Sequence, residues 1–437
     1  MEKSGGDWGI VGVSLRNSDT ADALRPQGWA YTSLALSEER EETRVISVLN
    51  GVLVAPDNPE AVLTIMCDPL VKIVSLTVTE KGYCHHPATG GLNIDHPDIQ
   101  YDLTHPEPRT AIGYLVGAFQ RRRDAGHAPF TVLSCDNLPS NGALSRLLVL
   151  EFANEVDPEL ADWIATYARF PSTMVDRITP ATTADDIARV AKITGYQDKA
   201  PVLHEPFSQW AIEDDFVDHQ RPDFSAAGAQ MVADVSRHEE MKLRLLNGTH
   251  SALAYTGYLA GYKTISQTVG DPVFSKFLRK LWSEITPSVD APQGVNLSDY
   301  TDALYERYAN SAIQHKTWQI AMDGSQKIPQ RILGTMRENL DAGRDISALC
   351  LSLAAWMRYV DGCDDAGNVI DLRDPMAEML IAQSQKCDDP QGKVEALLSI
   401  SDIFDASLAN QIRILVADAY VQICQYSTRG AIKKCVD

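Results

Sequence analysis

KIVSLTVT (Lys72–Thr79), TAIGYLVGAFQRRRD (Thr110–Asp124) and FTVLSC (Phe130–Cys135) together form the stretch that decides the fold. The first is a β-branched run without polar alternation, the pattern of a central parallel strand buried on both faces. The second has helical amphipathicity. The third is another short apolar strand. Strand, helix, strand in this order is a crossover unit of a mostly parallel sheet.

The same alternation extends outward on both sides. Gly9–Leu15 reads as a buried strand, and Thr43–Val54 as one or two more. Asp57-Asn58-Pro59-Glu60 is a helix start, with a capping side chain followed by proline in the first turn. Asn141–Asn154, Pro158–Tyr167 and Ala184–Ile193 read as helices, and Met174–Ile178 as a strand. The expectation is an α/β, Rossmann-like doubly wound first domain over residues 1–232. Beyond it, Glu239–Ala260, Pro272–Ile285, Ser298–Ala309, Ile328–Ala342, Ile346–Tyr359, Gly392–Ile403 and Ser407–Gln425 are long amphipathic segments with almost no strand-like runs between them. An all-α second domain over residues 233–437 is expected, with the boundary near Gln230–Asp234.

The chain has 437 residues, enough for two or three domains and an ample core. Its formal charge of −20, from 59 acidic and 39 basic residues, argues against nucleic acid or an anionic membrane as main partner. A small anionic ligand stays open, because a few local cations can dominate a pocket. The eight cysteines are scattered without zinc spacing, which suits a reducing, cytoplasmic setting. No signal-like apolar core and no apolar run of spanning length is present.

The segment with most chemistry is Met241–His250, MKLRLLNGTH. Lys242, Asn247 and His250 stand at i, i+5 and i+8. On an α-helix these fall at about 0°, 140° and 80° around the axis, on one side. A buried lysine of lowered pKa can exchange a proton near neutral pH. Asparagine and histidine can hydrogen-bond an oxygen that gains charge. The set suits interconversion of an alcohol and a carbonyl. The blander alternative is a solvated lysine and an Asn-Gly helix end.

The longer block MKLRLLNGTHSALAYTGYLAGY (Met241–Tyr262) resembles the signature of the polyol-specific long-chain dehydrogenases, the mannitol dehydrogenase family. The resemblance continues through VSLTVTEKGYC (Val74–Cys84), FTVLSCDNLPSNG (Phe130–Gly142), FPSTMVDRITP (Phe170–Pro180), EPFSQWAIEDDF (Glu205–Phe216) and HKTWQIAMDGSQKIPQR (His315–Arg331). The last block, with AAWMRYVDG (Ala354–Gly362), is most similar to the fructuronate reductase, or D-mannonate oxidoreductase, branch.

The resemblance implies NAD as cofactor, no metal, and a sugar acid or polyol as substrate. It implies Lys242 as general acid and base, Asn247 and Asn137 as amides polarising the substrate oxygen, and His250 as a hydrogen-bonding partner of the substrate. Glu239, one turn before Lys242, would tune or relay its proton. Lys327 and Arg331 would be cations for substrate oxygens. Gln319 stands where mannitol-oxidising relatives carry arginine, which points to the sugar-acid branch. Glu80 and Lys81 follow one strand end, and Arg16, Asn17 and Asp19 follow another. These five are the expected cofactor-binding residues, Asp19 being compatible with NAD and Arg16 with a 2′-phosphate.

Read without the resemblance, Asn137 is also a plausible cap or Asx turn, Glu239 a first-turn helix acid, and Arg331 a surface charge. Asn141-Gly142 reads as a structural turn, and Glu213-Asp214-Asp215 as a helix-end acidic face. His85-His86 lacks a third ligand at a recognisable spacing. Only six residues, Met1–Gly6, precede Asp7-Trp8-Gly9, so the glycine-rich turn of a dinucleotide fold is expected to be missing along with its first β-α unit. Three readings follow: a fructuronate reductase, a mannitol- or arabinitol-type dehydrogenase, and a non-catalytic sugar-acid-binding relative with an incomplete cofactor site. A monomer or weak homo-oligomer is expected.

Overall fold

The computed structural model describes residues 8–86 and 89–437, and it divides into two compact units, residues 1–236 and 237–437. The expectation about the glycine-rich turn falls on residues 1–7, outside the described ones.

The first unit runs β1 (Ile10–Ser14), α1 (Asp19–Leu24), β2 (Tyr31–Leu36), β3 (Glu41–Ile46), β4 (Leu49–Val54), α2 (Pro59–Cys67), β5 (Ile73–Leu76), α3 (Pro97–Thr104), α4 (Ala111–Asp124) and β6 (Thr131–Ser134). It continues with α5 (Asn141–Val156), α6 (Pro158–Tyr167), β7 (Thr173–Asp176), α7 (Ala184–Thr194), β8 (Val202–His204), β9 (Gln209–Glu213) and β10 (Gln230–Val232). Residues 72–135 form a strand–helix–strand unit, with β5 and β6 paired in parallel from Ile73 opposite Thr131 to Leu76 opposite Ser134. Phe119 of α4 stacks on Phe130 at 4.3 Å between ring centres, and both are fully buried. Burial of side chains this size contributes about 1.5–3 kcal/mol each.

Local signals explain the element ends. Asn58 accepts from the Ala61 N–H at 2.9 Å, with Pro59 opening α2 as expected. Thr110 caps α4 through the Gly113 N–H at 2.9 Å. The three arginines at the end of α4 suit the negative pole of its dipole. The middle one, Arg122, is buried, and its guanidinium donates to the carbonyls of Met66, Asp68, Val71 and Ala128. It thereby fixes the approach to β5.

The strand pairing is mostly parallel, as expected, and in the described residues is divided among four small sheets with two antiparallel pairs added. The β1–β4, β5–β6, β2–β8 and β9–β10 pairs are parallel, whereas β2–β3 and β7–β9 are antiparallel. A short link closed by Ser37 N–H on the Arg40 carbonyl joins β2 to β3, and so short a link can join only antiparallel strands. Strands β2, β8, β9 and β10 were not anticipated. Three of them are three to five residues long, too short to show a period.

The second unit is helical: α8 (Ser236–Met241), α9 (Thr249–Leu259), α10 (Ile265–Gly270), α11 (Pro272–Ile285), α12 (Leu297–Ala309), α13 (Thr317–Ile320), α14 (Gly324–Ile328), α15 (Gly334–Asp341), α16 (Ser347–Val360), α17 (Ala377–Ser384), α18 (Pro390–Leu398) and α19 (Ala406–Val436). Among the described residues it holds no strand beyond isolated bridges. Its core gathers α9, α11 and α19 around the almost wholly buried α16.

Candidate active site

Between α8 and α9 the helix widens into a π turn over Lys242–Gly248, and a second π turn spans Pro329–Leu333. Bonding from i to i+5 winds the chain more loosely than the α-helical 3.6 residues per turn, so Asn247 lies nearer the Lys242 side than the about 140° of an α-helix. This corrects the α-helical angles expected from the sequence. The two π turns pass close together at Gly248, where an added Cβ would lie 2.8 Å from the Arg331 carbonyl oxygen. Pro329 lacks an N–H and would crowd the carbonyl four residues back, which favours a wider turn at that point.

Lys242 is buried, and Asn247 and His250 are half-buried on the same segment. Glu239, half-buried in the first turn of α8, precedes the lysine by three residues. The His250 ring stacks on Tyr308 at 5.4 Å and meets His315 edge-on at 5.6 Å. Burial, then the charges of His315, Arg331, Arg307 and Lys327, hold its pKa well below the usual histidine value. It is therefore neutral at neutral pH, with one donor and one acceptor nitrogen. Its Nε2 is sealed from solvent and has no hydrogen-bond partner within the protein. Such an atom is open to a partner from outside the protein.

Lys327 donates to the carbonyls of Met322 at 2.6 Å and Ile320 at 3.3 Å, with Asp323 at 3.9 Å. Burial and the neighbouring Arg331 bring its pKa down to about 8 against the pull of Asp323 and Asp374. Arg331 is not a solvated helix-surface charge: its Nη1 donates to Ser251 Oγ at 3.0 Å and to the Asn247 carbonyl at 3.4 Å. Gln319 is exposed on α13.

In the first unit, Arg16, Asn17 and Asp19 are exposed just past the carboxyl end of β1, with Asn17 Oδ1 3.4 Å from the Asp19 N–H. Glu80 and Lys81 are exposed in a short 3-10 turn that follows β5. Asn137 is exposed in the loop after β6. The root of that loop is held by side-chain hydrogen bonds. Tyr83 donates to Asp136 at 2.5 Å and lies 2.6 Å from Ser134 Oγ. Burial pushes the tyrosine phenol far above its usual range and raises the Asp136 carboxyl as well.

Two expectations are corrected here. Asn141-Gly142 is the start of α5 rather than a turn, because buried Asn141 ties β6 to β7. Its amide donates to the carbonyls of Asp136 and Thr173 and accepts from the Thr173 N–H, each at 2.9 Å. An added Cβ on Gly142 would sit 2.3 Å from the Phe170 carbonyl oxygen. Glu213-Asp214-Asp215 lies at a strand end, not a helix end. There Asp214 forms a bidentate pair with Arg221 at 2.6 and 2.8 Å, and Glu213 accepts from the Ser172 N–H at 2.7 Å. Among the described residues no group of three His, Cys, Asp or Glu side chains is arranged to hold a metal ion.

The second unit thus brings Lys242, Asn247 and Arg331 onto adjoining π turns and His250 onto the start of α9, with Glu239 one turn ahead and Lys327 close by. Sequence reasoning missed the rings that hold them. His315 opens a block already noted, but Tyr308 and Trp282 occupy core-facing helix positions and read as packing.

Residues 3–226 match the mannitol dehydrogenase Rossmann domain, and residues 234–424 the mannitol dehydrogenase C-terminal domain. The D-mannonate oxidoreductase of Escherichia coli (strain K12) is 43% identical over 447 residues, covering 100% of this chain and 90% of that protein. A mannitol 2-dehydrogenase of Pyrenophora tritici-repentis (strain Pt-1C-BFP) is 43% identical over 417 residues, covering 94% of this chain and 72% of its own length. The solved ternary complex of Pseudomonas fluorescens mannitol 2-dehydrogenase with NAD and D-mannitol superposes with a TM-score of 0.85 at 36% identity, over 98% of this chain and 88% of that one.

Proposed function

From the premise that this chain belongs to the mannitol dehydrogenase family of oxidoreductases, we propose that it interconverts D-fructuronate and D-mannonate with NAD(H). The observation that carries the sugar-acid reading is electrostatic. In a chain of net charge −20, three cations, Arg307, Lys327 and Arg331, stand near enough to His250 to depress its pKa. An anionic substrate would be drawn to such a spot. The identity to a D-mannonate oxidoreductase and the glutamine at position 319 support the same choice.

The roles follow from the chemistry of each side chain. In the reducing direction Lys242 gives its proton to the keto oxygen, and in the oxidising direction it takes the proton back. Asn247 donates an amide hydrogen bond to that oxygen and His250 Nε2 supplies another contact; Asn137 is the second amide proposed to polarise the substrate. Glu239 relays the lysine proton. Lys327 holds a substrate oxygen, and Arg331 the carboxylate side.

NAD(H), when bound, supplies or accepts the hydride. The exposed polar set Arg16, Asn17, Asp19, Glu80 and Lys81 at the carboxyl ends of β1 and β5 fits a dinucleotide, whose ribose hydroxyls and phosphates need such partners. Asp19 favours NAD over NADP. The scattered cysteines suit the cytoplasm, and we place the protein there as a monomer or weak homo-oligomer. No helix among the described residues is long and apolar enough to cross a membrane.

A second reading, a mannitol- or arabinitol-type dehydrogenase, is favoured by the D-mannitol complex of the Pseudomonas relative. Oxidation of NADH by D-fructuronate and by D-fructose separates the two. A higher kcat/KM for fructuronate is expected, and preference for fructose would discard the sugar-acid reading. NADH binding without turnover of either would favour a non-catalytic relative.

A further inference from the structure

The π turn at Lys242–Gly248 sets the phase between the lysine and the asparagine, and such a turn is not self-supporting. Where i→i+5 bonding returns to i→i+4, carbonyls lose good partners along the helix. Here three consecutive carbonyls are met from outside the helix. The Trp282 indole N–H from α11 donates to Leu245 O at 3.1 Å. The Tyr308 hydroxyl from α12 donates to Leu246 O at 2.8 Å. Arg331 from the second π turn reaches Asn247 O at 3.4 Å. Thr249 adds its hydroxyl to Leu245 O at 2.6 Å.

The same rings also govern His250. Trp282 lies parallel to Tyr308 at 6.4 Å with a 7° interplanar angle, and Tyr308 stacks on His250. All three of Trp282, Tyr308 and Thr249 are buried. One stack therefore touches both the carbonyls of the turn and the imidazole that follows it.

We propose that Trp282 and Tyr308 are positioning residues: they clamp the π turn and so hold Lys242, Asn247 and His250 in mutual register. They touch no reacting atom and act through the backbone and the His250 ring. The proposal rests on the roles assigned above to those three residues, but the clamp itself has a readout independent of activity.

The test is Tyr308→Phe, which removes one hydroxyl and keeps the ring. Amide hydrogen exchange is followed in the peptide covering 242–249 and in one from α16, beside kcat and KM for D-fructuronate. Loss of a single buried hydrogen bond should speed exchange about fivefold to tenfold in 242–249 and leave α16 unchanged. The kcat should fall roughly tenfold, with KM moving less than about twofold, because register matters most in the transition state. Trp282→Phe, which removes the donor to Leu245 O, should repeat the pattern.

Unchanged exchange in 242–249 would overturn the clamp, as would acceleration spread equally into α16. Faster local exchange with an unaltered kcat would overturn the positioning role. Should the unmodified protein turn over neither fructuronate nor fructose, the functional reading fails, while the exchange arm still decides whether the rings hold the turn.

Discussion

The two sides of the proposed reaction are built in opposite ways. In the second unit, Lys242 is buried on a π turn whose carbonyls are taken up by Trp282, Tyr308 and Arg331, and a neutral His250 presents an unpartnered nitrogen. In the first unit, Arg16, Asn17, Asp19, Glu80 and Lys81 are all exposed. The contrast is physical. Proton transfer and oxyanion stabilisation lose orders of magnitude when a donor moves by an ångström, so those groups need packed supports. A dinucleotide spreads its binding over many contacts, and each can be loose.

The largest effect is therefore expected at Lys242. Replacement by alanine should lower kcat by about 10³-fold or more, in line with the loss of a positioned general acid. Circular dichroism should stay unchanged, since the lysine side chain is not part of the apolar cluster that packs the helices. Near-normal turnover in Lys242→Ala would sink the mechanism and, with it, the claim that the buried side is where precision matters.

A middle-sized effect should come from Lys327, with a pH signature. Its pKa of about 8 means that the ammonium is charged below that pH and loses its charge as pH rises through it. KM for fructuronate should then rise above about pH 8, whereas KM for the neutral ketose should stay flat. Lys327→Met should raise KM for fructuronate about tenfold and abolish its dependence on pH in this window. A KM for fructuronate that ignores both pH and the substitution would remove Lys327 from substrate binding and weaken the sugar-acid reading.

Much of this was legible in the sequence where elements are long or capped. Pro158–Tyr167 was read with the ends the structure gives, because Pro158 starts it under an Asp157 cap. The α4–β6 unit was read from Thr110 and the apolar run after it. What escaped had no local signal. Strands β8 and β10 are three residues long, and nothing within three residues marks a strand. The buried role of Arg122 was hidden among three identical neighbours, since only the tertiary fold decides which of them turns inward. The π turn could not be read from spacing either. The side chains that meet its carbonyls lie far along the chain, in Trp282, Tyr308 and Arg331. Candidate site residues were found through a matched block, whereas the rings that hold them looked like ordinary core.

The smallest effect should be at the exposed side, and it is the sharpest check on the contrast. Asp19 lies in the first turn of α1, exposed, with no shielding from solvent to magnify its interactions. Charges in such settings contribute little, so Asp19→Ala should raise KM for NADH by no more than about fivefold and leave kcat unchanged. Removing that carboxylate also leaves Arg16 as the dominant charge beyond β1, so the ratio of kcat/KM for NADPH over NADH should increase. Initial rates with the two cofactors measure both quantities. A loss in kcat comparable to that of Lys242→Ala would show that the cofactor side is held as stringently as the reacting side, and the division between a braced and a permissive half would fall. An unchanged cofactor ratio would instead place the discrimination away from the β1 end.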